Sequence, residues 1–147
     1  MTVDMRSYLQ QIKKTNDVFT VRKKVSTKYE IAAVTEKLDG SKAALFENVH
    51  GSKFKLVSNL IGTRDRFAQA IGAKKSDINK KIVKAISSAK KPKISKTAKF
   101  FENSSNDISI LPIVTHFQNE SGPFITSSIL YTRNQEKKSQ NSSIHRL

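Results

Sequence analysis

A chain of 147 residues accommodates one ordinary domain, or one domain and the start of a second, and a 37% hydrophobic share allows a modest core. The absence of cysteine excludes a disulfide framework, a thiolate metal site and a cysteine nucleophile. A formal charge of +15 calls for an explanation, while the lack of any run near the roughly 20 apolar residues that cross a bilayer, and of a leader pattern at Met1–Asp4, points to a soluble cytoplasmic protein.

Met5, Tyr8, Leu9 and Ile12 recur at helical spacing behind Asp4, an acceptor able to cap a helix over Asp4–Lys14. Val18–Val21 reads as a short strand. Thr27-Lys28-Tyr29-Glu30 has capping-box spacing, and the helix behind it buries Ile31, Val34 and Leu38 before stopping at Gly40. Ala43–Phe46 and Phe54–Ser58 read as strands joined by a turn at His50-Gly51-Ser52. Thr63 caps a helix through Phe67 and Ile71 that Gly72 closes. Ser76 opens a longer one, with Ile78, Ile82, Ile86 and Ala89 on one face, which must end before Pro92. This half alternates helix and strand, as an α/β or α+β module does.

Lys74–Lys99 holds ten lysines against the single acid Asp77. Such a field attracts nucleic acid or anionic membrane. The stretch has no arginine for bidentate base contact and no interleaved aromatics, so a solvated lysine face is preferred to a nucleic-acid stripe. Lys90–Asn106 reads as a linker. After it Ile108–Ile110, Leu111–Phe117 and Phe124–Thr132 are β-rich, with a turn at Glu120–Pro123 and a polar hairpin tip at Arg133–Gln140. The expected division is residues 1–106 as an α/β module with a basic linker and 107–147 as a second, truncated β unit.

The last residues, Asn141-Ser142-Ser143-Ile144-His145-Arg146-Leu147, combine an amide oxygen suited to a hard cation, hydroxyls, and an arginine suited to a carboxylate. On a strand Asn141 and Ser143 share a face; Arg146 has the other parity and joins them only through a turn, a bulge or its own length. His116 lies between Thr115 and Phe117 with no evident carboxylate partner and reads as structural or exposed. His50 and His145 receive no role, and three scattered histidines do not make a zinc site.

With Leu111–Phe117, Glu120–Ser128 and Asn141–Leu147, the chain resembles the UbiD-type decarboxylases, which use prenylated flavin mononucleotide. Met5–Leu9, Val25–Glu30, Ala44–Val49 and Asn59–Arg64 resemble the same family in its archaeal-looking form. The resemblance implies an amino-terminal fragment of an enzyme about three times longer, and an α+β fold: an N-terminal α/β module, then the first strands of an incomplete, flavin-reductase-like split β-barrel. It implies that Asn141 is a metal ligand, for manganese beside the flavin phosphate, with potassium as an optional second cation. Thr126, Ser143, Ile144 and Arg146 line the cofactor site, and Arg146 also holds the substrate carboxylate as the catalytic residue. The family's remaining metal ligands and its glutamate proton donor fall beyond this motif. The implied activity is non-oxidative decarboxylation of an unsaturated or aromatic acid, with the anhydromevalonate phosphate and hydroxybenzoate decarboxylases as narrower options, and with this chain inactive alone. A complementary chain carrying the rest of the barrel, or a homo-oligomer, is the implied partner. The competing readings are a basic nucleic-acid-binding module and a non-catalytic interaction remnant.

Overall fold

The computed structural model describes residues 4–90, 102–134, 136 and 139–147. In chain order the elements are α1 (Met5–Lys14), β1 (Val18–Val21), α2 (Glu30–Lys37), β2 (Ala43–Phe46), β3 (Leu56–Ser58), α3 (Arg64–Ala70), α4 (Ile78–Ser87), β4 (Ser128–Arg133) and β5 (Gln140–His145). The architecture is α+β with two small sheets. One has the order β1-β2-β3, with β1 parallel and β3 antiparallel to β2; the other is the β4–β5 hairpin. The described residues of the second region form this hairpin together with short bridges.

β2 is central, and all four of its residues are buried, which is why the strand reads as a continuous apolar run. Side chains alternate across the sheet, so the two faces carry separate cores. On one side Ala43 packs with Tyr8 and Ile12 of α1. On the other, Ala44 and Phe46 pack with Val25, Ile31 and Val49, and with Val114 from the second region. Backbone pairing reinforces that join, since Thr115 N donates to Thr27 O and Tyr29 N donates to Thr115 O. Residues 111–117 are therefore held onto the first module.

Several local expectations need correction. Thr27 does not cap α2. Tyr29 occupies the N-cap position at φ 69°, and the Glu30 carboxylate accepts from Ser26 N at 2.6 Å, one residue earlier than the box requires. A left-handed tyrosine is costly; its pairing with Thr115 holds it there. Ser76 does not cap α4 either, but sits in a 3-10 turn over Lys75–Asp77. Of the apolar face expected on α4, Ile78 is buried while Ile86 is 74% exposed. The expected strand at Ile108–Ile110 is a 3-10 turn, because Asp107 Oδ1 accepts from both the backbone and the hydroxyl of Ser109. Residues 111–117 contribute only isolated bridges, and the strand expected from Phe124 begins at Ser128. Most of the Lys90–Asn106 linker and part of the hairpin tip lie outside the described residues.

α1 begins as expected. Asp4 Oδ1 accepts from Arg6 N and Ser7 N, while Ser7 Oγ accepts from Asp4 N, a reciprocal capping box. The bond from Ser7 N leads the causes that lower the pKa of Asp4 below its ordinary 3.8. A lowered folded pKa means the cap contributes above the unfolded value and is lost as pH falls through the folded one. The protection of the Arg6 and Ser7 amides, taken relative to their intrinsic exchange rates, should fall as pH is taken below the ordinary carboxylate range. In Asp4→Asn, which keeps the acceptor, exchange should lose that pH-dependent component.

Candidate functional site

A largely apolar cavity of about 770 Å³ opens between the first module and residues 111–127. Its walls come from α2 (Ile31, Thr35), β3 and the following turn (Leu56–Gly62), and the Leu111–Val114 and Phe124–Ser127 segments. A second hollow of about 610 Å³ shares Thr35, Asn59 and His116 with it and adds Tyr29, Glu36 and Asp39. Both have the size of small-molecule sites.

The polar part of the first wall is closely organised. Asn59 stands at φ 53°, a conformation asparagine tolerates better than most residues. Its Nδ2 donates to Thr35 O at 2.8 Å, and Thr35 Oγ1 lies 2.8 Å from Ser58 Oγ. Asn59 O accepts from Gly62 N and from Arg66 Nη2 at 3.1 Å. Gly62 lets the turn close tightly: a Cβ there would come within 3.2 Å of Asn59 Cβ, so the turn would have to give by a few tenths of an ångström. Behind the wall Arg66 is 3% exposed, with Nη1 donating to Ser41 O at 2.5 Å and Nε without a partner among the described residues. Tyr8 OH donates to Arg66 O at 2.7 Å; burial pushes the tyrosine pKa up, which keeps that donor protonated.

The residues singled out in the sequence are only partly brought together. Thr126 lines the cavity. The Arg146 guanidinium lies 5.4 Å from the centre of the Phe124 ring, itself a lining residue, in a cation–π arrangement. A bulge permits this: Ser128 pairs with His145, but Ile125 exchanges both backbone bonds with Leu147, so Thr126 and Ser127 together oppose Arg146. Asn141 pairs with Thr132 and Ser143 with Leu130, on one face of the hairpin; Ile144 pairs with Ile129 on the other face and is 81% exposed. Asn141, Ser143 and Ile144 are not among the residues lining the cavity.

Asn141 and the neighbouring Thr132 hydroxyl suit a hard cation in kind. In number they fall short, and the described residues contain no group of three His, Cys, Asp or Glu able to hold a metal. His116 is half-buried and lines both hollows. A carboxylate does lie beside it, contrary to the sequence reading, but Glu120 Oε2 accepts from the backbone N–H groups of His116 and Phe117. Asn59, Ser58 and Thr35 were missed as lining residues. The only local signal was an asparagine three residues before a glycine, since the Thr35–Ser58 contact spans 23 residues.

The Lys74–Lys84 lysines lie near α4, where Lys75 pairs with Asp65 and Lys81 donates to Gly72 O. No helix among the described residues is long and apolar enough to cross a membrane.

Residues 9–86 match the family model of the 3-octaprenyl-4-hydroxybenzoate carboxy-lyase N-terminal domain, and 87–147 match its Rift-related domain. Anhydromevalonate phosphate decarboxylase of Methanothermobacter thermautotrophicus is 26% identical over 143 residues, covering 97% of this chain and 33% of that protein. Among solved structures, the UbiD-class enzyme HmfF from Pelotomaculum thermopropionicum in complex with FMN superposes with a TM-score of 0.91 at 31% identity, over 96% of this chain and 33% of that one. The closed form of vanillic acid decarboxylase from Sedimentibacter hydroxybenzoicus, at 22% identity and a TM-score of 0.82, shares the fold. The chain thus spans about a third of the length of these relatives.

Proposed function

From the premise that the chain belongs to the UbiD carboxy-lyase family, matched by both of its domain models, we propose that it forms part of a cytoplasmic, non-oxidative decarboxylase of an unsaturated or aromatic acid that uses prenylated FMN. The observation that carries this reading is the likeness to FMN-bound HmfF over 96% of the chain. On this reading residues 1–106 are the N-terminal module and 107–147 begin a split β-barrel. The β4–β5 hairpin supplies two of its strands. A complementary polypeptide would cover the exposed Ile129, Tyr131 and Ile144.

The prenylated flavin, when bound, supplies the electrophilic centre that takes up charge as carbon dioxide leaves. The residues of this chain bind and orient. Arg146 holds the substrate carboxylate through its planar fork, and stacking on Phe124 restrains that fork while leaving its N–H edges open. Thr126 borders the cavity across the bulge from Arg146. Asn141 would offer one oxygen to a manganese ion, which would need further ligands, and Ser143 lies along the same face. The apolar lining excludes water from a carboxylate about to lose its charge. The nucleic-acid reading has only the net charge in its favour.

The test is reconstitution. The purified chain should show no carbon dioxide release from cinnamate- or benzoate-type acids with prenylated FMN and manganese. Co-expression with the remaining two thirds of a relative should restore turnover. In that complex Arg146→Met should reduce kcat/KM roughly tenfold to a hundredfold, the scale of lost charge-assisted hydrogen bonds. Turnover by the chain alone would remove the need for a complementary polypeptide, whereas no turnover by the complex, or full activity of the Arg146 variant, would remove the assignment.

A further inference from the structure

Every residue of α4 after Ile78 is exposed, and none of them packs into either core. Buried Ile78, the bond from Lys81 Nζ to Gly72 O and the Lys75–Asp65 ion pair tether the start of the helix to the first module. At ~100° per residue, Ile78, Ile82, Ala85 and Ile86 share one arc, Asn79 and Val83 continue it, and Lys80, Lys84 and Lys81 fill the opposite side. Ile82, Val83 and Ile86 are 39%, 65% and 74% exposed, so the arc that periodicity assigns to a core is left to water. A helix of ten residues whose N-cap, Asp77, makes no side-chain bond is marginal in water by itself. Its apolar face therefore gains doubly from meeting a surface: by burial, and by fixing the helix.

We propose that α4 is an interfacial anchor for an anionic phospholipid bilayer, with Ile82, Val83 and Ile86 set into the headgroup–acyl boundary and the flanking lysines on lipid phosphates. Charge selects this occupant. Residues 74–99 hold ten lysines against Asp77, and Lys74, Lys80, Lys84 and Lys90 form no ion pair among the described residues. Lysines beside an apolar stripe can run their stems along it and reach the headgroups, each adding attraction to an anionic leaflet. A second copy of the chain would set like charges against one another. Nucleic acid would answer the lysines and leave the isoleucines in water. The anchor is independent of the decarboxylase assignment, since it uses no residue of the cavity or of the hairpin.

The test is sedimentation of the whole chain with vesicles of phosphatidylcholine alone or mixed equally with phosphatidylglycerol. The anionic vesicles should retain it at least about twentyfold better, the scale of two lysines at an anionic surface. Changing Val83→Glu and Ile86→Glu together should cut that retention about tenfold or more while the thermal midpoint stays put, because both side chains are exposed in the free protein. The chain has no tryptophan, so Ile86→Trp supplies a single emission that should shift to the blue on anionic vesicles. Ile144→Trp, on the hairpin, should not shift. Retention that both glutamates leave unchanged, with no shift from Trp at 86, means attraction by charge alone, as nucleic acid would share, and overturns the proposal. So does the absence of retention on anionic vesicles. Emission at 86 already blue before vesicles are added, in a self-associated chain or in a complex with a complementary polypeptide, assigns the face to that partner and overturns it too.

Discussion

Phe46→Ala should lower the thermal midpoint by roughly 10 °C or more, corresponding to a loss of about 3–5 kcal/mol. Phe46 is fully buried, the last residue of the central strand, and sits where α2, the Val25 and Val49 segments and Val114 converge. Truncation removes the transfer free energy of the ring and leaves a cavity that three surrounding segments, each pinned by backbone pairing, cannot collapse to fill. The consequence should not be confined to the first module. Because Val114 packs in the same cluster and Thr115 is bonded to the Thr27–Tyr29 backbone, amide protection at Tyr29 and Thr115 should fall together with that of β2. Ile86→Ala provides the control: with Ile86 74% exposed, its cost should stay within about 0.5 kcal/mol. Circular dichroism melts and hydrogen exchange check both. A Phe46 variant that melts within a degree or two of the parent would mean that this core does not join the two regions.

The second large effect is expected at Arg66. Replacing a buried charge by an apolar residue is often neutral when its partner is also removed. Here the partners are the backbone carbonyls of Ser41 and Asn59, which no side-chain substitution removes. Arg66→Met leaves Ser41 O without its donor, while Asn59 O retains only Gly62 N. At about 1–3 kcal/mol for an orphaned acceptor, partly offset by no longer desolvating a guanidinium whose Nε already lacks a partner, the net cost should be about 1–2 kcal/mol. That corresponds to a midpoint lower by roughly 3–8 °C in a denaturation scan. Arg66→Lys, able to reach one carbonyl, should fall between. Since Asn59 depends on this clamp, amide shifts of Thr35, Ser58 and Asn59 should move in the Met variant even at temperatures where the fold persists. A Met variant as stable as the parent, with those shifts unchanged, would show that Arg66 braces nothing.

What could be read along the chain was what neighbouring residues decide among themselves. β1 and β2 have the bounds that their apolar runs suggested, α1 begins at its Asp4 cap, and Thr63 caps α3 by accepting from Arg66 N. Gly40 and Gly72 both take positive φ at helix ends. Each of these depends on bonds spanning a few residues, which spacing reveals. The resemblance carried by Asn141–Arg146 likewise lay in a contiguous motif, and the family models agree with it.

Only the tertiary structure decided the rest, and for one reason: the deciding partner was distant in sequence. Tyr29 takes a left-handed conformation and displaces the expected cap because Thr115 pairs with it. Residues 111–117 leave no regular strand because Val114 is drawn into a core built around β2. Arg146 reaches Phe124 through a two-against-one offset that β5 alone cannot express, while Ile144 is turned to the other face by the same pairing. The hydrogen-bonded wall exists because α2, β3 and α3 converge on Asn59. Periodicity specifies which side a residue faces; which surface waits there is fixed by contacts 20 to 100 residues away.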